Sequence, residues 1–181
     1  MKRKLLYFAI IFFFIFTNSF SKNLKFTKII DLDKPWGSSF INSNELLVTE
    51  KSGKLKIINI ENNHIKEIEH NLKFLEYGQG GLLDIIYKDG YIWISYTEDR
   101  GNSKTSTSIA KGKFDKKKIF FENIFQANPP IESGYHFGSR LAIKGNYIFA
   151  SLGERGQGMI AQNATSHPGS IIRIHLDGTI P

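Results

Sequence analysis

The chain has 181 residues, a formal net charge of +7 and no cysteine. It therefore has no disulfide framework, no thiolate metal site and no cysteine nucleophile. Its length suits one domain rather than several, and no zinc-finger spacing or RNP-like motif accompanies the positive charge, so no nucleic-acid partner is expected.

The N-terminus has the anatomy of an export signal. Lys2, Arg3 and Lys4 precede an apolar run from Leu5 to Phe16, and small residues stand at Ser19 and Ser21. Cleavage is expected after Ser21, giving a mature chain from about Lys22 that is periplasmic or secreted. As a helix, the twelve apolar residues would span about 18 Å, short of the roughly 30 Å hydrocarbon core, so no stable membrane anchor is expected. Removing residues 1–21 takes away three positive charges and no acidic one, which lowers the net charge from +7 to +4.

From Lys22 onward, short runs rich in Ile, Val, Tyr, Phe and Trp alternate with Gly, Asn and Asp, a strand-and-turn pattern. The first unit has strands at Gly37–Ile41, Glu45–Glu50 and Lys54–Ile60, with turns at Asn42–Asn44 and Lys51–Gly53. The second has Gly81–Ile86, Tyr91–Tyr96, Thr107–Phe114 and Lys118–Phe121. Within it Lys116-Lys117-Lys118 reads as a solvated turn. The third has Gly138–Ile143, Tyr147–Leu152 and Ser170–Leu176. Gly37, Gly81 and Gly138 are expected to hold equivalent places, 44 and 57 residues apart. Periods of this size are those of β-propeller blades. The fold class is thus all-β, a β-propeller of which residues 22–181 supply about three blades. Propellers close with four to eight, so a longer protein is expected. A complete small β-sandwich is the alternative that strand spacing leaves open.

Three segments beside predicted inner strands are rich in Gly, Gln, His and Arg: Tyr77–Gly81, Tyr135–Arg140 and Gly153–Asn163. The imidazole of His136 suits proton acceptance near neutral pH; a histidine capping a turn is the other reading. Arg140 suits an anionic ligand or an inter-strand ion pair. Gln79 offers a donor and an acceptor among glycines. His64 and His70 are placed in connections, His175 on the polar face of its strand, and His167 in a loop. Glu154 is one carboxylate, against the six to eight oxygens that calcium takes, and no metal ligand is assigned.

Taken in order, four stretches carry a resemblance. They are Pro35-Trp36-Gly37 with Leu47–Glu50 and Gly53–Leu55; Gly78–Asp84; His136–Leu141; and Leu152–Gly156 with Ala161–Asn163, Gly169–Ile174 and Asp177–Pro181. Together they resemble the soluble aldose sugar dehydrogenases of the glucose/sorbosone dehydrogenase family. The resemblance implies a six-bladed propeller that uses pyrroloquinoline quinone (PQQ) and calcium to oxidise aldose sugars at C1 to lactones, passing electrons to an external acceptor. It implies His136 as the general base and Gln79 as a quinone contact; Arg140, from its charge, is taken as a further cofactor-binding residue. The calcium ligands and an Arg-Asn pair are expected beyond residue 181. Tyr135 stands where some members carry Asp, and Ser139 where many carry Gly. A secreted, non-enzymatic propeller that binds partners on its channel face is the alternative function.

Overall fold

A computed structural model describes residues 24–181; the expected signal segment and its cleavage point lie outside them. Among the described residues twelve strands form three sheets in chain order, antiparallel except for the pairing of the short eighth strand. The first contains β1 (Pro35–Phe40), β2 (Glu45–Glu50), β3 (Leu55–Asn59) and β4 (Ile65–His70). The second contains β5 (Leu82–Lys88), β6 (Tyr91–Asp99), β7 (Thr105–Lys113) and β9 (Phe121–Gln126), and the third β10 (Gly138–Lys144), β11 (Tyr147–Leu152) and β12 (Ile171–His175). The short β8 (Lys118–Ile119) leaves the second unit and pairs in parallel with β4, at the edge of the first sheet. Each sheet runs outward from an innermost first strand, and β5 packs against both β1 and β10. This is the up-and-down blade arrangement of a propeller. Among the described residues no helix is long and apolar enough to cross a membrane.

The core is two slabs between sheets. Leu47, Leu55 and Ile68 of the first sheet meet Leu82, Ile92 and Ile94 of the second. On the other side Trp93 and Ile109 meet Leu141, Ile148 and Ala150 of the third. Successive strand residues point to opposite faces, so β6 sends Ile92 and Ile94 one way and Trp93 the other. A middle sheet buried on both faces needs this near-continuous apolar run. In β11 burial alternates instead, with every second residue buried.

The three sheets share one internal frame. In each, the register of the first two strands slips by one residue at the same place: between Pro35 and Ser38, Leu82 and Ile85, and Gly138 and Leu141. The extra residue is a β-bulge, which removes one N–H from the ladder. A hydroxyl on the second strand accepts that N–H every time. Gly37 N donates to Thr49 Oγ1 at 2.9 Å, Asp84 N to Ser95 Oγ at 2.9 Å and Arg140 N to Ser151 Oγ at 3.1 Å. Gly37, Asp84 and Arg140 are therefore the equivalent residues. The expected equivalence of Gly37, Gly81 and Gly138 fails: Gly81 falls one residue before the bulge frame, Gly138 at its first position and Gly37 at its third. Glycine marks close approach in each place, but for different reasons. At Gly37 an added Cβ would lie 2.7 Å from both Asp84 Cα and Leu83 O on the neighbouring sheet.

The same hydroxyls reach across to the next sheet. Thr49 Oγ1 donates to Leu83 O at 2.5 Å, and Ser95 Oγ to Ser139 O at 2.8 Å. Leu83 and Ser139 are the equivalent bulge residues of successive sheets. A second link is Asp84, whose buried carboxylate accepts Arg140 Nη1 at 3.0 Å and Leu141 N at 2.8 Å. Of the lysine triplet, Lys116 and Lys117 lie in the turn after β7, and Lys118 opens β8. Asp115 accepts the Lys117 and Lys118 N–H groups, and Lys116 Nζ reaches Glu45 at 2.6 Å.

Candidate functional site

The sequence-selected segments converge where loops enter the first strands of the second and third sheets. His136 lies two residues before β10, and Glu154 two residues after β11. Gly138 pairs with Leu152 across this hairpin, so continuing the count outward sets residue 136 opposite residue 154. His136 Nδ1 is indeed hydrogen-bonded to Glu154 Oε1. The hydrogen bond from His136 holds the Glu154 carboxyl below its ordinary 4.5, with backbone N–H groups including that of Gly156 adding to the effect. An ionised carboxylate on Nδ1 keeps the ring proton there and leaves Nε2 with its lone pair. Half of the His136 side chain is exposed, and among the described residues Nε2 makes no hydrogen bond.

Gln79 fixes the backbone of the same residue. His136 N donates to Gln79 Oε1 at 2.8 Å, and Gln79 N donates to Gly134 O at 2.7 Å. These two bonds join the Tyr77–Gly81 turn to the loop before β10. Lys51 Nζ, from the turn after β2, donates to Gly78 O and backs the turn from the first sheet. His136 has φ +50°, a left-handed conformation that is uncommon for a residue with a Cβ and persists only where its surroundings over-determine it. Gly153 makes room for it: a Cβ there would run into His136 O.

Arg140 stands further along the chain, on β10. Its guanidinium pairs with Asp84, and 68% of its side chain remains exposed while Asp84 is 4% exposed. The inter-strand ion-pair reading of Arg140 is thus present in the structure, and further N–H donors of the guanidinium remain open to a ligand. The other histidines serve packing and turns. His70 lies on β4, not in a connection, with Nε2 2.7 Å from Gly53 O. His167 Nδ1 accepts Asn128 N at 2.9 Å, and His175 stacks on Tyr147 with ring centroids 4.9 Å apart.

Two residues of this site escape sequence reasoning. Glu154 reads in sequence only as an insufficient calcium ligand, and it is the partner of His136. Its signal lies in the hairpin count from Gly138 and Leu152. Arg155 carries no role in the sequence reading, yet it is 4% exposed and runs beneath the His136 loop. Burial pulls its pKa down to about 10, so it stays protonated at neutral pH. Among the described residues no group of three or more His, Cys, Asp or Glu converges to hold a metal ion. The structure brings His136 and Gln79 together through a direct hydrogen bond, whereas Arg140 is held separately on β10 by Asp84.

Residues 32–181 match the Glucose / Sorbosone dehydrogenase family. Over 160 residues the chain is 31% identical to the aldose sugar dehydrogenase YliI of Escherichia coli (strain K12), covering 83% of this chain and 43% of that protein. A crystal structure of a glucose dehydrogenase superposes with a TM-score of 0.80 at 27% identity, over 86% of this chain and 48% of that one. The PQQ-bound form of an aldose sugar dehydrogenase from Streptomyces coelicolor shares the fold, with a TM-score of 0.73 at 22% identity over 82% of this chain and 46% of that one. The chain thus spans about half the length of the relatives it matches. Its all-β blades and ordered motifs are those of sugar dehydrogenase propellers, and it belongs to the Glucose / Sorbosone dehydrogenase family.

Proposed function

We propose that the protein takes part in the PQQ-dependent oxidation of an aldose at C1 to its lactone, with His136 as the general base. The observation that carries this is the two-point hold on His136. Gln79 fixes its backbone, Glu154 fixes Nδ1, and Nε2 is left to the solvent side. In such a site Nε2 takes the proton of the anomeric hydroxyl while C1 loses a hydride. The oxygen–carbon bond becomes the lactone carbonyl, and the imidazolium returns its proton to water. When bound, PQQ would supply the two-electron acceptor for that hydride. Gln79 through its amide N–H₂ and Arg140 through its open N–H groups are the residues of this chain offered to the cofactor. Among the described residues no group of three or more His, Cys, Asp or Glu gathers as a ligand set for calcium. Export to the periplasm or the medium follows from the signal anatomy of residues 1–21, with residues 22–181 as the propeller portion.

The test is dye-linked oxidation of aldoses by the full protein supplied with PQQ and calcium. His136→Ala is expected to lower kcat by about 10² to 10⁴-fold, the usual worth of a placed general base. Unchanged turnover would remove His136 from the chemistry. Glu154→Gln is expected to cost about 10-fold, as losing the partner of a functional histidine does, and to alter the acid limb of the pH profile. The sign follows from the lowered Glu154 pKa. The wild-type pairing is intact above about pH 4.5 and is lost as pH falls through the lower folded value. The glutamine variant lacks that contribution to the limb.

A further inference from the structure

We propose that Arg155 is the positioning residue of the site: its buried guanidinium clamps the loop that carries His136 and so sets the direction of the imidazole. This rests on the role of His136 proposed above. Arg155 Nε donates to Tyr135 O at 2.8 Å, and Nη2 donates to Ser133 O. From the opposite side, Nη1 donates to Thr105 O at 3.2 Å and Nη2 to Thr105 Oγ1 at 2.7 Å. The guanidinium carbon lies 3.6 Å from the ring centroid of Phe137. One side chain therefore holds residues 133, 135 and 137, on both sides of His136, and ties them to the start of β7.

A buried arginine ordinarily pairs with a carboxylate, since an isolated charge is costly to desolvate. Among the described residues Arg155 forms no ion pair; carbonyl oxygens, one hydroxyl and an aromatic face satisfy it. That arrangement is costly for stability alone, because an apolar side chain of similar volume would avoid the desolvation. What it does supply is geometry. The planar guanidinium donates in fixed directions, and it fixes two carbonyls next to a residue held at φ +50°. Arg155 itself sits at φ +59°. Its neighbour Glu154 faces the other way and holds the ring, so two consecutive residues fix the loop and the imidazole together.

Arg155→Met keeps most of the volume and removes every donor. In the full protein, ¹⁵N NMR of the His136 ring reads the tautomer without any cofactor, and thermal unfolding reads the fold. The wild type is expected to carry its ring proton on Nδ1. Arg155→Met is expected to show both tautomers while still unfolding cooperatively, with kcat down by roughly 10- to 100-fold, the scale of an ångström-sized misplacement, and KM little changed. Arg155→Lys is expected to restore part of both signals. Should Arg155→Met fail to fold, Thr105→Val removes one anchor of the same clamp and is read in the same way. A wild-type tautomer with only a lowered unfolding temperature would make Arg155 a plain structural clamp and overturn the proposal. If the tautomer shifts as expected but the wild type oxidises no sugar, the positioning role stands and the proposed function falls.

Discussion

At the scale of single residues, Ser139 shows how local conformation and satisfaction combine. It is fully buried, its Oγ has no hydrogen-bond partner among the described residues, and it sits in the bulge at φ +85°. A non-glycine residue held there costs about 1–3 kcal/mol, and an unpaired buried hydroxyl costs about 1–3 kcal/mol more. Glycine removes both terms and returns roughly 0.5–1 kcal/mol through the freer unfolded chain. Ser139→Gly is therefore expected to stabilise the protein by about 1–3 kcal/mol, measured by denaturant unfolding. An equal or lower midpoint would mean that the hydroxyl has a partner in solution. The sequence marks Ser139 as a departure from the family's glycine, but the reason lies in the backbone. His136 and Gln79 are legible because glycines and polar residues cluster around them. Glu154 and Arg155 are not, because adjacent residues of opposite charge read as a solvated pair until the hairpin register sends one to the ring and the other beneath the loop.

At the scale of elements, β2 and β11 follow the sequence reading residue for residue, since both are apolar runs bounded by turn residues. β4 escapes it. Its sequence, Ile65-Lys66-Glu67-Ile68-Glu69-His70, has one fully buried residue, Ile68, and reads as a polar connection. It is a strand because β3 and β8 pair with its two edges, a long-range fact that no local pattern carries. The second strand of each sheet holds a further hidden feature, the hydroxyl at the bulge. Thr49→Val keeps the shape but leaves Gly37 N–H and Leu83 O without that partner. It is expected to cost about 1–3 kcal/mol, the penalty of stranding buried polar groups. A change within about 0.5 kcal/mol would show that water replaces the hydroxyl.

At the scale of the molecule, the repeat itself is legible as three units of strands, but its phase is not. Glycines are conspicuous in a sequence, whereas the true landmarks are a glycine, an aspartate and an arginine at positions 37, 84 and 140. They differ because each answers its neighbour: Gly37 yields space to Asp84, and Asp84 pairs with Arg140. This pair fastens the second sheet to the third, and its two ends are unequal. Arg140→Met would leave a carboxylate that is 4% exposed without its cation, at an expected cost of about 1–3 kcal/mol. Adding Asp84→Asn is expected to recover part of that loss, because the remaining amide can still accept Leu141 N–H without a buried charge. Strict additivity in the double-mutant cycle would mean that the two side chains do not interact.

The inter-sheet hydroxyl bonds also give the assembly a direction. Thr49 and Ser95 each donate forward to a carbonyl of the following sheet, so the second sheet has an accepting flank and a donating flank that are chemically distinct. A flank of this kind cannot mate with its own copy around a two-fold axis and keep these bonds. Sheets of this design add head to tail, as heterologous contacts do, and such contacts either close into a ring or continue as a filament.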